Sequence, residues 1–554
     1  MTTTEQSSRP EITQSRDEAT RYLCAAAHQD QNFCDNAIRE FLTESLRVIP
    51  PSTAVNAGAV LREAVAARAR RQIRDWTLLA ILLAFAISNI VLALLWLVTA
   101  LVVRWPVLAR EHATARRYLP WIWLGAALLA LGFLPTALAE LLATGTALPA
   151  LTLGPAEVVL GLAAIAVVAA EEFVLWCLLT KSFRRGSFTP APAVDRWPGE
   201  RLVRRLGRER YTADLRRVAE ADRNANLVAY RGYEPFVGAG IRHRPFSMTV
   251  MLEPAEDSEE HAAGTNGQAR AGELPLPRGF ALSELYDAIS AELRTLRHSP
   301  SLAPSDRLSG LTERAEVIAP AEELLANLGD PAAREVLASL DQPPNQVLPP
   351  RRMAELAEAP LEWLRYYRVF EVEAWNRDIT VSVYLHLGMN ERTLYLEWTP
   401  CVLLPVREGY RTVDQLPAGP GRPIQASLLG AVQLPAALIG RLGGLCTSIQ
   451  PLPDTPGMML PAKYGASCSL RELAASTDVL NYFQLADVER YLRLLRRRLF
   501  RAVGMFLEER DLSVVEFMRQ AQEVVANNTY IAGDVHNSAV GSNNRVSGNR
   551  IRKG

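Results

Sequence analysis

Residues Tyr366–Leu404 read "YYRVFEVEAWNRDITVSVYLHLGMNERTLYLEWTPCVLL". In the middle, Ile379, Val381, Val383, Leu385 and Leu387 alternate strictly with Thr380, Ser382, Tyr384 and His386. Successive side chains of a strand point to opposite faces, so this period of two predicts a strand with one apolar face. The runs on either side have the same β-branched and aromatic character and are joined to it by short polar turns. Together they predict a three-stranded antiparallel meander. Tyr384, Tyr395 and Trp398 on the second face predict that this face is covered as well.

Around the meander the pattern is mostly helical. Ser283 opens a helix with Leu285, Ile289, Leu293 and Leu296 on one side, and short helices follow near Ala321–Leu328 and Pro331–Leu340. Upstream, the strand-like runs Asn226–Arg231 and Pro245–Leu252 flank the loop "GYEPFVGAG". No Lys-Ser/Thr follows its glycines and no helix opens after it, so the phosphate-binding reading fails and a hairpin loop is expected. Residues 255–279 are polar and Gly-rich and read as a disordered insertion. "SLLGAVQLPAALIGRLGGLCTSI", Ser427–Ile449, reads as a buried helical pair, with an interfacial dip as the alternative. Val488–Leu507 is an amphipathic helix whose apolar face is ringed by Arg490, Arg493, Arg496, Arg497, Arg498 and Arg501. Such a helix either packs on a core with its arginines solvated or docks on a membrane or an acidic partner.

The chain also carries three long apolar stretches. Trp76–Val103 has 28 residues without a charge; as one straight helix it would be about 42 Å long, against a hydrocarbon core of about 30 Å. Residues 118–139 and 156–180 are each of a length to span once. Arginines precede the first stretch and separate it from the second, and Lys181, Arg184 and Arg185 follow the third, whereas Glu140–Pro155 has neither Lys nor Arg. The positive-inside rule puts that loop outside and the other flanks inside. Three simple spans cannot satisfy this. A hairpin over 76–103 that bends at Ser88–Asn89 and returns to the cytoplasmic side does; the alternative is one tilted helix with an outside N-terminus. The expected localisation is therefore a multi-pass cell-membrane protein with a cytoplasmic C-terminus, and membrane lipid is its first expected partner.

The expected fold class is α+β, a helical membrane region joined to a cytoplasmic domain with the antiparallel meander and flanking helices. Its parts are a disordered segment 1–16, a helical cytoplasmic unit 17–75, the membrane segments, a basic juxtamembrane linker 181–225, the α+β domain 226–525 and a Gly/Asn-rich tail 526–554. Net charge is zero, with 60 basic and 60 acidic residues, so only local charge argues for partners. Lys181–Arg223 holds 12 Lys/Arg against 6 Asp/Glu. Arg204, Arg205 and Arg208 there, with Arg497 and Arg498 further on, are the expected lipid or protein contacts; the nearby membrane favours anionic lipid over nucleic acid. Glu171 and Glu172 fall inside the third apolar stretch. Ionisable groups at mid-depth mark ion or proton paths, while a shifted register would set the pair nearer the interface.

Catalytic patterns are missing. The seven histidines sit at no ligand or triad spacing, no hydrolase, zincin or nucleotide-binding motif occurs, and the six cysteines are scattered, as in a reducing compartment. A non-enzymatic binding or scaffold role without cofactor is expected, against an enzyme with a non-local site. "RYLCAAAHQDQNFCDNAIREFL", "NLVAYRGYEPFVGAG" and "NYFQLADVERYLRLLRRRL" together resemble uncharacterised actinobacterial membrane proteins that have a large C-terminal cytoplasmic domain. The resemblance implies the organisation and no activity. In the tail, Val535, Val540, Val546 and Ile551 recur among Gly and Asn. This is similar to the amyloid-type signalling motifs of some bacterial immune receptors and effectors. The resemblance implies self-assembly through the tail, and with it a membrane-acting effector as the alternative function; the other reading is a solvated spacer.

Overall fold

The computed structural model describes residues 12–111, 154–190, 200–255, 280–298, 308–375, 377–417, 419, 421–446, 452, 459–479 and 481–529. The expected span 118–139, the insertion 255–279 apart from Ala255, and the tail residues Val535, Val540, Val546 and Ile551 lie outside them.

The meander forms as its alternation requires. Strands β5 (Arg365–Ala374), β6 (Ile379–Asn390) and β7 (Thr393–Leu403) pair antiparallel, with Val383 opposite Phe370 and Pro400. They are the middle of a seven-stranded sheet. On one side β4 (Leu311–Pro320) pairs antiparallel with β5, and β1 (Leu227–Tyr230) pairs parallel with β4. On the other, β2 (Ile241–Arg242) and β3 (Phe246–Met251) both pair with β7. The hairpin expected across the Gly-rich loop is therefore not formed. β1 and β3 lie at opposite edges, and the loop crosses the sheet between them. The order is mixed by one parallel pair, so the α+β class holds.

Two layers cover the sheet. Helices α7 (Leu282–Arg294), α10 (Pro350–Glu358) and α14 (Tyr482–Glu508) pack on the face of Val381, Val383, Leu385 and Leu387, with α15 (Val515–Thr529) against α14 and β3. Tyr286 of α7 is fully buried there, and its hydroxyl accepts a hydrogen bond from the Leu387 N–H at 2.7 Å. The second face buries Tyr367, Tyr384 and Cys401 under Phe236 and Ala239 of the Gly-rich loop. Short helices α8 (Ala321–Ala326) and α9 (Pro331–Val336) follow β4.

The N-terminal residues form a second core. Helices α1 (Ile12–Gln29) and α2 (Gln31–Ile38) and the start of α3 (Ala57–Ser88) enclose Leu23, Phe41, Val60 and Leu61. The same core takes in Leu215 and Val218 of α6 (Glu200–Asn224), Tyr410 of α11 (Glu408–Arg411) and Leu470 of α13 (Leu470–Leu473). The later part of the basic "linker" is thus a packed helix: Arg217 donates to the carbonyls of Glu44 and Arg47 at 3.1 Å and caps the chain leaving α2. The helical unit does not end at 75 either, because α3 runs unbroken into the apolar stretch.

A third cluster joins α3, α4 (Ile90–Glu111), α5 (Pro155–Cys177, continued by a π turn to Ser182) and α12 (Gly421–Cys446) around Leu78, Ala164, Val168, Leu434 and Leu438. Asn89 separates α3 from α4. Its backbone is extended (φ −151°, ψ 93°) and its side chain caps α4 through the Leu92 N–H at 3.1 Å. Phe85 and Trp96 then meet with ring centroids 5.5 Å apart, whereas eleven residues of continuous helix would separate them by about 16 Å. The chain folds back at the expected bend. The buried pair expected over Ser427–Ile449 is instead one helix, α12, that carries Pro435 inside it and joins this bundle. Among the described residues one helix, Pro155–Ser182, is long and apolar enough to cross a membrane.

Tyr286→Phe removes the acceptor of a buried backbone N–H. We expect a loss of about 1–3 kcal/mol of stability, read by chemical denaturation of the full chain, with native secondary structure by circular dichroism.

Candidate functional site

Among the described residues, three polar constellations involve segments that the sequence singles out. The first runs along α3. Glu63 accepts from buried His28 at 3.1 Å, Arg71 donates to the Ala27 carbonyl at 2.6 Å, and Arg70 and Arg74 flank Glu171 of α5 at 3.5 and 3.4 Å. Asp75 pairs with Arg74 at 2.7 Å and with Arg441 of α12 at 3.4 Å. At the far end of the bundle the Ser88 hydroxyl donates to Glu157 at 2.5 Å. Helices α3 and α5 are therefore antiparallel and pinned at two levels, about 21 Å apart along α5 at 1.5 Å per residue. Beyond Glu171, Leu178 and Leu179 are buried in the N-terminal core. Glu171 thus answers the arginines of α3. Glu172, on the neighbouring face, has no ion pair among the described residues.

Burial pushes the His28 imidazole down to about 4 from an ordinary 6.5, against the opposing pull of Glu63, and nearby Arg70 adds to the fall. His28 thus stays neutral in the folded chain, where the unfolded chain would protonate it.

The second constellation is the Gly-rich loop. Gly238 and Gly240 have φ of +97° and +85°, and their N–H groups donate to one oxygen of Glu472 at 3.0 and 2.9 Å. The other oxygen takes the Ser469 N–H at 2.7 Å, as the reciprocal half of the cap that opens α13. The row of N–H groups that a phosphate would use is filled by the chain's own carboxylate. A Cβ on Gly240 would stand 2.3 Å from the Val402 carbonyl oxygen, and one on Gly238 would stand 2.7 Å from that of Pro51.

The third lies on α14. Val488, Leu495, Leu499, Val503 and Phe506 are buried, so the helix packs on the core as its amphipathic pattern allows. Arg498 is paired with Glu292 of α7 at 2.7 Å, and Arg490 with Asp487 at 2.9 Å. Arg493, Arg496 and Arg497 instead line a cleft of about 490 Å³ with His243 and Arg244, floored by Phe246, Trp398 and Leu492. Sequence reading singled out Arg497 and Arg498 alike; the fold pairs the second and leaves the first at the cleft. His243 and Arg244, contributed by the turn before β3, were missed. No local pattern connects them to a helix 250 residues away. Arg204, Arg205 and Arg208 lie in α6, with side chains outside the described residues. His386 is half-buried, its Nδ1 2.8 Å from the Tyr366 carbonyl oxygen.

An α+β sheet domain locked to an apolar helical bundle, with charge at the seam and an arginine-lined cleft on the sheet domain, is the class these features define. The chain belongs to the family of the AbeC-like domain, whose family model matches residues 245–540. The match takes in β3 to β7, α12 of the bundle and α14 with its arginines. No curated protein and no solved structure matches the chain.

Stability is expected to fall as pH drops from 6.5 towards 4, because the unfolded chain binds a proton at His28 there and the folded chain does not. The slope from this site is at most about 1.4 kcal/mol per pH unit, and His28→Gln should flatten it in urea titrations at stepped pH. Gly240→Ala combines left-handed backbone with a clash against main chain, and should cost more than about 3 kcal/mol or abolish folding. Gly329→Ala, in open space, is the control.

Proposed function

We propose that this chain is a membrane-anchored, multi-pass binding protein without catalytic activity, whose sheet domain faces the cytoplasm. The observation that carries the reading is the distribution of exposed apolar side chains. Ile87 of α3 is 86% exposed, Val159 and Leu162 of α5 are 64% and 60%, and Leu428 of α12 is 66%. An aqueous protein rarely leaves so many large apolar groups bare in one zone, and lipid is the solvent that removes the cost. The zone is bounded by Ser88–Glu157 at one end and the Arg70, Arg74 and Glu171 cluster at the other. It is shorter than a hydrocarbon core of about 30 Å; local thinning and snorkelling arginines take up the difference. The reversal at Asn89 supports a hairpin that enters and leaves on the arginine-rich side, which is then cytoplasmic.

Fractionation tests this. The chain should remain in the membrane pellet through an alkaline carbonate wash, and a C-terminal reporter should be active only when the cytoplasm is the compartment read. A monodisperse protein in detergent-free buffer, or an external reporter signal, would overturn the proposal.

A further inference from the structure

The cleft under α14 has an unbalanced charge. Four guanidinium groups, those of Arg244, Arg493, Arg496 and Arg497, face it with His243, and Glu489 is the carboxylate among its lining residues. Glu489 is already engaged at one end, 2.9 Å from His243 Nε2 and 3.5 Å from Arg244. Arg493, Arg496 and Arg497 have no ion pair among the described residues. Arg493 and Arg496 are three residues apart on the helix, a spacing at which like charges repel. Burial, and after it the charge of Arg493, hold the Arg496 guanidinium below its ordinary range, and its Nε is buried without a partner. Arg244 has a left-handed backbone, φ +49°, a conformation that costs energy outside glycine and is kept only where the surroundings impose it.

Arg493 and Arg497 are exposed and Arg496 is half-buried, so all three are open to a ligand arriving from solvent. Arg498 and Arg501, on the same helix, share Glu292 at 2.7 and 3.6 Å, so acidic partners are supplied where the fold uses them. In a concave site with apolar walls, uncompensated positive charge attracts anions strongly, and the planar fork of arginine matches phosphate oxygens in pairs. The walls beside the arginines are apolar: Phe246, Leu492 and Val525. The volume lies within the range of small-ligand sites.

We propose that this cleft binds a phosphate ester, with the phosphate held by Arg493, Arg496 and Arg497 and the organic part against Phe246, Leu492 and Val525. Glu489 stays with His243 and Arg244 and sets the limit of the anion's seat. Two sources carry this chemistry, a phospholipid headgroup with a terminal phosphate and a soluble phosphorylated metabolite. The inference rests on the reading of the chain as a binding protein. It does not rest on the membrane seat, which fractionation reads separately.

The test uses the full chain in phosphatidylcholine nanodiscs. Thermal stability and calorimetric binding are read with inorganic pyrophosphate and with ATP as soluble probes, and in a parallel arm with discs that contain phosphatidic acid. A soluble ligand predicts saturable binding of pyrophosphate or ATP; a headgroup predicts stabilisation in the phosphatidic acid discs alone. In either arm Arg493→Gln with Arg496→Gln should weaken the response at least about tenfold, and Arg497→Gln, an exposed site whose loss spares folding, should weaken it in the same direction. Arg351→Gln, a remote exposed arginine, should leave it unchanged. Absence of a response in all arms, or an equal response from the cleft variants and the Arg351 variant, would overturn the proposal.

Discussion

Helix α3 passes from an aqueous protein core into an apolar bundle without a break, and that constraint organises the molecule. A charge on such a helix is costly to leave unpaired where the helix enters apolar surroundings. Several charges near the boundary have a partner from a different part of the chain. His28 of α1 answers Glu63, Glu171 of α5 answers Arg70 and Arg74, and Arg441 of α12 answers Asp75. These pairs do not rank as large contributors to stability, because desolvation consumes most of the Coulombic gain. Their effect is on register. Sliding α5 by one turn past α3 would strand Glu171 in apolar surroundings and uncover two arginines.

Local periodicity carries some parts of this fold and long-range pairing carries the others. The meander was legible because Ile379 to Leu387 alternate without exception, and the bend at Asn89 because opposing flanks of arginine require it. Strand β4 was not, since "LTERAEVIAP" places Glu313, Arg314 and Glu316 where a buried strand should be apolar. The charges are tolerated because neighbours neutralise them: Arg368 and Arg294 each reach Glu313 at 2.8 Å, and Arg314 reaches Glu371 at 2.7 Å. α12 was misread for a similar reason. Pro435 and Arg441 look like interruptions of an apolar segment, but the helix accommodates the proline and the arginine is the counter-charge for Asp75. In both cases the partner lies dozens or hundreds of residues away, and periodicity reports only on neighbours.

The two anion-type constellations of the sheet domain differ in one respect that bears on function. At the Gly-rich loop, the N–H groups of Gly238 and Gly240 and the carboxylate of Glu472 satisfy one another, and glycine is required there to let the main chain of Val402 and Pro51 approach. That site is closed and holds the crossing loop onto the sheet. At α14 the donors outnumber the acceptors. Arg493, Arg496 and Arg497 gather there beside Arg244, with Glu489 as the carboxylate among the lining residues. A protein that satisfies its polar groups at the loop and along α3 and leaves them in surplus at one cleft has placed that surplus where something outside the chain can meet it.

Contacts connect the start of α14 with α1. Asp487 at the start of α14 takes a hydrogen bond from Trp375 at 3.0 Å, Arg411 and Arg471 both reach Asp378 a few residues on, and the segment that carries Arg411 packs on α1 through Arg21 and Asp414 at 2.7 Å. Such continuity is not evidence of signalling, because coupling requires an element with two arrangements that both ends bias. What it supplies is a chain of contacts in which Arg21 and Arg471 are buried and Trp375 is exposed, so α14 and α1 are joined through side chains from several parts of the sequence.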